Sequence, residues 1–214
     1  MTLPSLEEAW QQTAARTGLT GPGAGAVYQD LCRRYSEPGR AYHNLGHVAA
    51  TLETISEFRG LVRDDVALRL SVWFHDAVYD SRRIDNEEKS AAYAMAALKG
   101  GACDPLRMRV MVLIGKTKTH KAPAGDSDCQ ILLDADLAVL GSSAGDYDRY
   151  AHAIREEYAW VPEADYRAGR RRVLESFLGR ERLSHTAPLF EQYEQAARAN
   201  LRREIECLTN PNNR

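Results

Sequence analysis

The hydrophobic pattern constrains the fold of this chain more than any other feature. Apolar residues recur at spacings of three and four in segment after segment, as at Val48, Leu52, Ile55 and Phe58. Nowhere do five or more residues alternate cleanly between apolar and polar, which is the pattern of a half-buried strand. The 214 residues therefore predict an all-α protein, a bundle of about ten helices in a single domain over residues 1–214.

Composition excludes several classes of protein. No apolar run reaches the roughly 18 residues of a spanning helix, and the first residues lack the basic and apolar regions of a signal peptide. We therefore expect a cytoplasmic protein without a membrane partner. The 28 basic and 30 acidic side chains nearly balance, so no global charge attracts a nucleic-acid polymer. Four widely spaced cysteines indicate neither a zinc finger nor a disulfide scaffold, and nothing specifies the oligomeric state.

Two histidines lie four residues apart in the segment Tyr42-His43-Asn44-Leu45-Gly46-His47. If this segment is helical, both imidazoles project from the same face, because residues four apart on a helix are neighbours. Two rings on one face suit a cation or a phosphate. On its own, the pair would more simply be two surface histidines.

Ionisable groups also occur inside two apolar segments. His75 and Asp76 end an apolar run, and Asp136 has leucine or valine at every neighbouring helical position. A buried, unpaired carboxylate costs several kcal/mol unless it meets a cation or takes up a proton. No Lys or Arg lies between Lys121 and Arg149, so a salt-bridge partner for Asp136 is not local.

A metal ion bound by His47, His75, Asp76 and Asp136 would satisfy all three segments together. Two imidazoles and two carboxylates form a mixed nitrogen and oxygen set, suited to Mn, Fe, Co, Ni or Zn and less suited to a site for Ca alone. Mg is a further candidate. Asp134 is the alternative to Asp136, and two residues apart on a helix is about 200° of rotation, so the two carboxylates do not face one ion.

The order of these motifs on an all-α chain resembles the HD superfamily of metal-dependent phosphohydrolases. The segment from Tyr42 to His47 is also similar to a motif of the cyclic-nucleotide phosphodiesterases. The region from Leu132 to Leu178, with Tyr166 and Gly169-Arg170, resembles a small bacterial family of predicted HD phosphohydrolases. The resemblance implies an HD-like helical domain with a motif core over about 40–140, on which C-terminal helices over about 144–208 pack.

The resemblance also implies roles for individual residues. It makes His47, His75, Asp76 and Asp136 the metal ligands and His43 the general acid toward the leaving oxygen. Asp80 would be a water-orienting carboxylate, although the glutamate that precedes it in the ppGpp-hydrolysing branch is replaced by Tyr79. An acidic run that includes Asn86 and Glu88 is more simply a helix start than part of the site.

Further candidates are few. His120 is the only histidine between the His-Asp pair and Asp136, which favours one tightly held ion, with a second ion left possible, and argues against the di-iron oxygenases that share this core. Lys116 and Arg170 are candidates for contact with a substrate phosphate. We interpret the scattered tyrosines as residues that pack between helices.

The sequence therefore predicts a divalent-metal-dependent phosphohydrolase that acts on a small phosphomonoester or phosphodiester, most simply a nucleotide. A second hypothesis is that the protein is not an enzyme but a regulatory module that binds a nucleotide or metal without turnover. A third hypothesis is an iron oxidoreductase.

Overall fold

The computed structural model describes residues 3–210, with side chains from residue 6 onward; residues 1, 2 and 211–214 of the predicted domain lie outside the described part. Ten α-helices and two short 3-10 turns, with no strand among the described residues, form a single bundle, which confirms the all-α prediction. The helices are Leu3–Ala15 (α1), Gly21–Tyr35 (α2), Leu45–Glu57 (α3), Asp65–Phe74 (α4), Asn86–Ala97 (α5), Asp104–Thr117 (α6), Ser127–Asp136 (α7), Ala144–Glu157 (α8), Glu163–Leu178 (α9) and Ala187–Thr209 (α10). The 3-10 turns are Arg59–Leu61 and Ala138–Gly141.

Side-chain caps determine where several helices begin. Asn44, Asp64, Asp126 and Ser143 each accept a hydrogen bond from a backbone N–H in the first turn of the helix that follows. The cap at Asn44 starts α3 at Leu45, so His43 lies outside the helix. The prediction of a helical i, i+4 pair of histidines is therefore wrong.

The apolar side chains form two clusters. The N-terminal cluster is built from α1 to α7 with Leu189 of α10, and Trp10, Trp73 and Phe74 pack edge to face near its centre. The C-terminal cluster is smaller; its buried members are Leu140, Tyr147, Leu174, Leu183, Ala197 and Leu201. The candidate site lies between these two clusters.

Two glycines allow neighbouring segments of the backbone to approach each other closely. A Cβ at Gly101 would lie 2.4 Å from Leu19 N, and one at Gly141 would lie 2.6 Å from Tyr193 Cβ. Both contacts are shorter than a side chain tolerates, so these positions require glycine. The second contact seats α10 against the Ala138–Gly141 turn. Within residues 3–210, no helix combines the length and the apolar character needed to cross a membrane.

Candidate metal centre

Two imidazoles and one carboxylate from three helices meet in the interior. His47 lies on α3, His75 caps the C-terminal end of α4, and Asp136 is the last residue of α7. The two Nε2 atoms are 3.0 Å apart, and Asp136 Oδ1 lies 3.0 Å from His47 Nε2 and 3.4 Å from His75 Nε2. These three atoms form a triangle that could hold a metal ion.

The dimensions of this triangle fit a divalent cation. An ion at about 2.0–2.2 Å from each ligand atom separates neighbouring ligand atoms by roughly 2.8–3.6 Å, depending on the coordination angle. All three separations at the cluster lie in that range. The donor set is two nitrogens and a carboxylate oxygen, which suits a first-row transition metal such as Mn, Fe, Co, Ni or Zn.

A hydrogen bond behind His75 orients its ring for this task. His75 Nδ1 lies 2.9 Å from the carbonyl oxygen of Val72, and a carbonyl only accepts, so Nδ1 is the nitrogen that carries the hydrogen. The lone pair of Nε2 in the neutral ring then faces His47 and Asp136. A second hydrogen bond of this kind is usual for histidines that bind metals.

The charges of the cluster support one another. Burial lowers the pKa of His75, but the negative charges of Asp76 and Asp136 outweigh burial and raise it well above its ordinary value. Burial raises the pKa of Asp136, but His47 and His75 outweigh burial and hold it well below its usual range. The pocket therefore favours positive charge beside Asp136, whether the charge is a proton or a cation.

The other two aspartates of the motifs take different positions. Asp76 Oδ2 lies 3.1 Å from His75 Nε2 and 3.7 Å from His47 Nε2, so it borders the triangle from the side of the His-Asp pair. Asp134 faces away and accepts hydrogen bonds from the backbone N–H groups of His185 and Thr186. The rotation between residues 134 and 136 thus turns only Asp136 toward the histidines.

His43 lies beside the cluster and is held by a buried glutamate. The ring centroids of His43 and His47 are 5.9 Å apart. Glu157 Oε2 lies 2.6 Å from His43 Nδ1 and accepts a hydrogen bond from the hydroxyl of Tyr79, while Oε1 accepts from the backbone N–H groups of Tyr42 and His43. Because Glu157 engages Nδ1, Nε2 is the atom of His43 left for the cavity.

This environment also sets the charge of His43. Burial lowers its pKa, but the negative charges of Asp76 and Glu157 outweigh burial and raise the pKa above its ordinary value. The Tyr79 ring stacks on the imidazole with centroids 4.2 Å apart. His43 is therefore fixed in orientation and inclined to carry a proton near neutral pH.

A buried arginine joins the two motif segments. The guanidinium of Arg40 is 2% exposed and donates to the carbonyl oxygens of His43, Asp76 and Ala77 at 3.0, 2.6 and 3.2 Å. These bonds hold the turn that carries His43 against the end of α4. The relative position of His43 and the metal cluster thus depends on a cation that binds no ligand itself.

The cluster opens into a cavity of about 940 Å³ between the two apolar clusters. His43, His75, Asp76 and Asp136 line its inner end. Tyr150, Tyr158 and Tyr166 line the side formed by α8 and α9, so these three rings face the cavity as well as their neighbouring helices. The ring contacts of Tyr150 with Tyr42 and Tyr147, and of Tyr158 with Tyr166, agree with the prediction that these tyrosines pack helices.

Two residues predicted for the site lie elsewhere. Asp80 does not line the cavity, because its carboxylate accepts from Arg82 N within its own turn and its backbone is hydrogen-bonded to Asn86. Lys116 does not line it either; Lys118 does, at the rim, where its ammonium pairs with Glu88 at 2.5 Å.

The two remaining candidates do line the cavity. His120 Nε2 lies 3.6 Å from Asp136 Oδ2, while its buried Nδ1 has no hydrogen-bond partner among the described residues. Burial lowers the pKa of His120 despite the charge of Asp136, so it is inclined to be neutral, the form that binds a metal. Arg170 is held by Glu204 at 2.8 and 3.1 Å, which engages the guanidinium that would otherwise meet a phosphate.

Sequence reasoning missed Glu157 and Arg40. Glu157 ends α8, some 114 residues from His43, and from the sequence it resembles a surface acid because the charged residues Arg155 and Glu156 precede it. Arg40 reads as a turn residue after Pro38 and Gly39. Neither has a local signal; only the folded chain brings them to His43.

Comparison of the chain with protein-family models, with curated proteins and with solved structures found no match. Function is therefore argued from the geometry of the site.

Proposed function

We propose that this protein is a metal-dependent phosphohydrolase of the HD type, which cleaves a small phosphomonoester or phosphodiester, such as that of a nucleotide. One observation carries the proposal. His47, His75 and Asp136 place three ligand atoms within 3.4 Å of one another, His75 and Asp136 also line the large cavity, and a glutamate-held His43 lies beside them.

The residues of the cluster would hold one divalent cation. His47, His75 and Asp136 are the ligands, with Asp76 beside them and His120 on the far oxygen of Asp136 as the residue available to a second ion. A bound cation acidifies a coordinated water and withdraws charge from a phosphoryl oxygen. The mixed donor set admits Mn, Fe, Co, Ni or Zn, and Mg through the carboxylates.

His43 supplies the proton for the leaving group. Its Nε2 faces the cavity, and Glu157 holds Nδ1, so the ring can give a proton to the departing alcohol oxygen without rotating. Glu157 also stabilises the imidazolium before the transfer. The hydroxyl of Tyr79 donates to Glu157, and Arg40 donates to the carbonyl oxygen of His43, so both keep this pair in place.

The ligand assignment is tested with purified protein reconstituted separately with Mn²⁺, Co²⁺, Ni²⁺, Zn²⁺, Fe²⁺ and Mg²⁺. Bis-p-nitrophenyl phosphate and a set of nucleotides are the substrates. We expect hydrolysis by the wild type and none by His75→Ala or Asp136→Ala. His152→Ala is the matched control, because His152 is 76% exposed on α8 and far from any ligand. Full activity in either ligand variant would refute the assignment.

The role of His43 is tested with esters of different leaving groups. His43→Asn should slow hydrolysis of ethyl phosphate by roughly 10²–10⁴, the usual contribution of a general acid. p-Nitrophenyl phosphate should be slowed far less, because p-nitrophenolate departs without a proton. An equal loss on both esters would show that His43 does not act as the acid.

Measurements on the same metal-loaded proteins distinguish the phosphohydrolase from a binding module and from an iron oxidoreductase. Tight nucleotide binding without turnover under every metal would identify a binding module instead of an enzyme. Oxygen consumption by the Fe²⁺ form would identify an oxidoreductase.

A further inference from the structure

The cavity has two unlike sides. Residues of α8, of α9 and of the turn between them form an apolar and aromatic face, which we name the α8–α9 wall; its members are Ile154, Tyr158, Val161, Tyr166, Val173 and Phe177. Asn86, Glu87 and Lys118 on the opposite side are polar, with Ile84 as the apolar residue beside them. Polar residues of α9 also line the cavity, namely Asp165, Arg170, Arg172 and Ser176. The α8–α9 wall nevertheless carries most of the apolar and aromatic residues of the lining, so it is the larger surface for an apolar group.

Three of the four lysines and arginines that line the cavity are paired with acidic side chains of the chain itself. Arg83 is paired with Asp85 at 2.7 Å, Lys118 with Glu88 and Arg170 with Glu204. Of the cations that line the cavity, Arg172 alone has no ion-pair partner among the described residues, and it is exposed. A ligand with a second phosphate would therefore meet little unpaired positive charge beyond the metal cluster.

The proton donor lies close to an aromatic residue of α8. The Tyr42 ring contacts His43 and His47 at 5.0 and 4.9 Å between centroids and contacts Tyr150 on α8 at 4.7 Å. A leaving oxygen within reach of His43 therefore lies near α8, and the rest of the alcohol would extend along the α8–α9 wall while the phosphoryl group would be held at the metal cluster.

We infer that the substrate is an ester with a single phosphoryl group, whose alcohol carries a flat aromatic or similarly apolar group that lies against the α8–α9 wall. This inference rests on the proposed function. In the reaction, the bond from phosphorus to a water oxygen forms as the bond to the alcohol oxygen breaks. His43 gives its proton to that oxygen, and the proton released by the water restores His43, so the products are the free alcohol and phosphate.

The first test compares benzyl phosphate with ethyl phosphate on Mn²⁺-reconstituted protein, because their alcohols are similarly poor leaving groups. We expect kcat/KM to favour benzyl phosphate by about 30-fold, since the ring removes on the order of 80 Å² of apolar surface from water. Ethylene glycol bisphosphate, with a second phosphate on its alcohol, should do no better than ethyl phosphate. Preference for the bisphosphate over benzyl phosphate would overturn the inference.

A matched pair of valine variants tests whether the α8–α9 wall is the cause. Val173 lines the cavity and is 46% exposed, whereas Val112 on α6 is 44% exposed and does not line it. Val173→Asn should lower the benzyl-to-ethyl ratio by roughly threefold or more, because it replaces apolar contact with an amide. Val112→Asn should leave the ratio unchanged, and an equal change in both variants would contradict the assignment.

Calorimetry with non-hydrolysable phosphonates separates this inference from the proposed function. Benzylphosphonate should bind the Mn²⁺-loaded protein at least tenfold more tightly than ethylphosphonate. If no ester is turned over but this preference holds, the proposed activity fails and the assignment of the α8–α9 wall stands. If esters are hydrolysed but neither kcat/KM nor phosphonate affinity favours benzyl, the inference fails and the proposed activity stands. Absence of binding by both phosphonates also overturns the inference.

Discussion

The two regions on either side of the cavity are held together in different ways. The N-terminal region, α1 to α7, packs around a large apolar cluster in which Trp10, Trp73 and Leu70 are fully buried. The C-terminal region, from the Ala138–Gly141 turn to α10, has a much smaller apolar cluster and a nearly buried ion pair, in which Arg170 meets Glu204 at 2.8 Å.

Polar contacts between helices and turns contribute more to holding the C-terminal region together than they do in the N-terminal region. Glu194 accepts hydrogen bonds from Leu183 N and Ser184 N, and Asn200 donates to the carbonyl oxygens of Leu140 and Ser142. A close-packed apolar interior resists small displacements, so the N-terminal region is suited to fixing ligand atoms within tenths of an ångström. The C-terminal region forms the opposite side of the cavity, the side on which we propose that the apolar part of a substrate lies.

The buried ion pair gives the largest expected effect in the C-terminal region. Arg170→Met leaves the carboxylate of Glu204 without its cationic partner, with the hydroxyl of Tyr147 as its remaining hydrogen-bond donor, and should lower the free energy of unfolding by about 3 kcal/mol. Chemical denaturation measures this change. Arg149→Met, which removes an exposed pair with Asp146, should cost less than about 1 kcal/mol and serves as the control.

A double variant sharpens the same comparison. Arg170→Met with Glu204→Leu replaces both charges by apolar groups and should recover most of the loss, because no charge is left buried and unpaired. If the single variant is as stable as the wild type, the pair does not hold this region together.

The next largest expected loss of stability comes from truncating one buried leucine in each region. Leu70→Ala and Leu174→Ala each remove a fully buried side chain and should cost about 3 kcal/mol, with the larger loss at Leu70, where a larger cluster surrounds the cavity left behind. Denaturation of both variants gives the two values. A larger loss at Leu174 would show that the C-terminal cluster is the less able of the two to relax.

Much of the fold could be predicted because helices are local. The three- and four-residue spacing of apolar residues predicts the all-α class, and the segment from 104 to 117 is predicted to its last residue. The start of α3 at Leu45 differs from the prediction, since the N-cap is Asn44, one residue after His43, whereas the spacing of His43 and His47 suggests one continuous helical face. The two rings meet because of the turn that Arg40 holds, and not because of helical periodicity.

The candidate site was predictable in part for the same reason. His75, Asp76 and Asp136 stand out because polar groups in apolar segments need a partner, and the structure brings His47, His75 and Asp136 together. Glu157 and Arg40 gave no such signal, since an acid near a helix end and an arginine after a Pro-Gly turn are ordinary on a surface. Asp80 was chosen by its offset from Asp76, but a turn directs its carboxylate to Arg82 N.

Glu157 joins the two regions, and its replacement should have a moderate effect. Glu157→Gln keeps the shape but removes one of the two charges, beside that of Asp76, that raise the pKa of His43, so that pKa should fall. Because the proposed mechanism requires His43 in its protonated form, the alkaline limb of the pH profile of kcat should move to lower pH, with a loss of about tenfold, or 1.4 kcal/mol. Ethyl phosphate is the substrate, because its departure requires the proton.

The neighbouring residue supplies the control for this profile. Glu156→Gln changes an exposed carboxylate that pairs with His152 and should leave the profile where it is. A profile that does not move in Glu157→Gln would mean that the glutamate only shapes the turn.

Removal of a helix cap in each region should give the smallest losses of stability, and the two losses should be nearly equal. Asn44→Ala at α3 and Ser143→Ala at α8 each remove a side-chain acceptor from the first turn, which costs about 1 kcal/mol in thermal or chemical unfolding. The costs should match, because capping is local and independent of the packing that distinguishes the two regions. Only Asn44→Ala should also weaken cation binding, since α3 carries His47.

Titration of Mn²⁺ into the apoprotein by isothermal calorimetry tests whether His47, His75 and Asp136 form a metal site. We expect one high-affinity site in the wild type and in His152→Ala, with loss of that site in Asp136→Ala. Binding should weaken as pH falls, since the raised pKa of His75 lets protons compete with the cation. Equal affinity and stoichiometry in the wild type and in Asp136→Ala would show that Asp136 is not a ligand and that the site lies elsewhere.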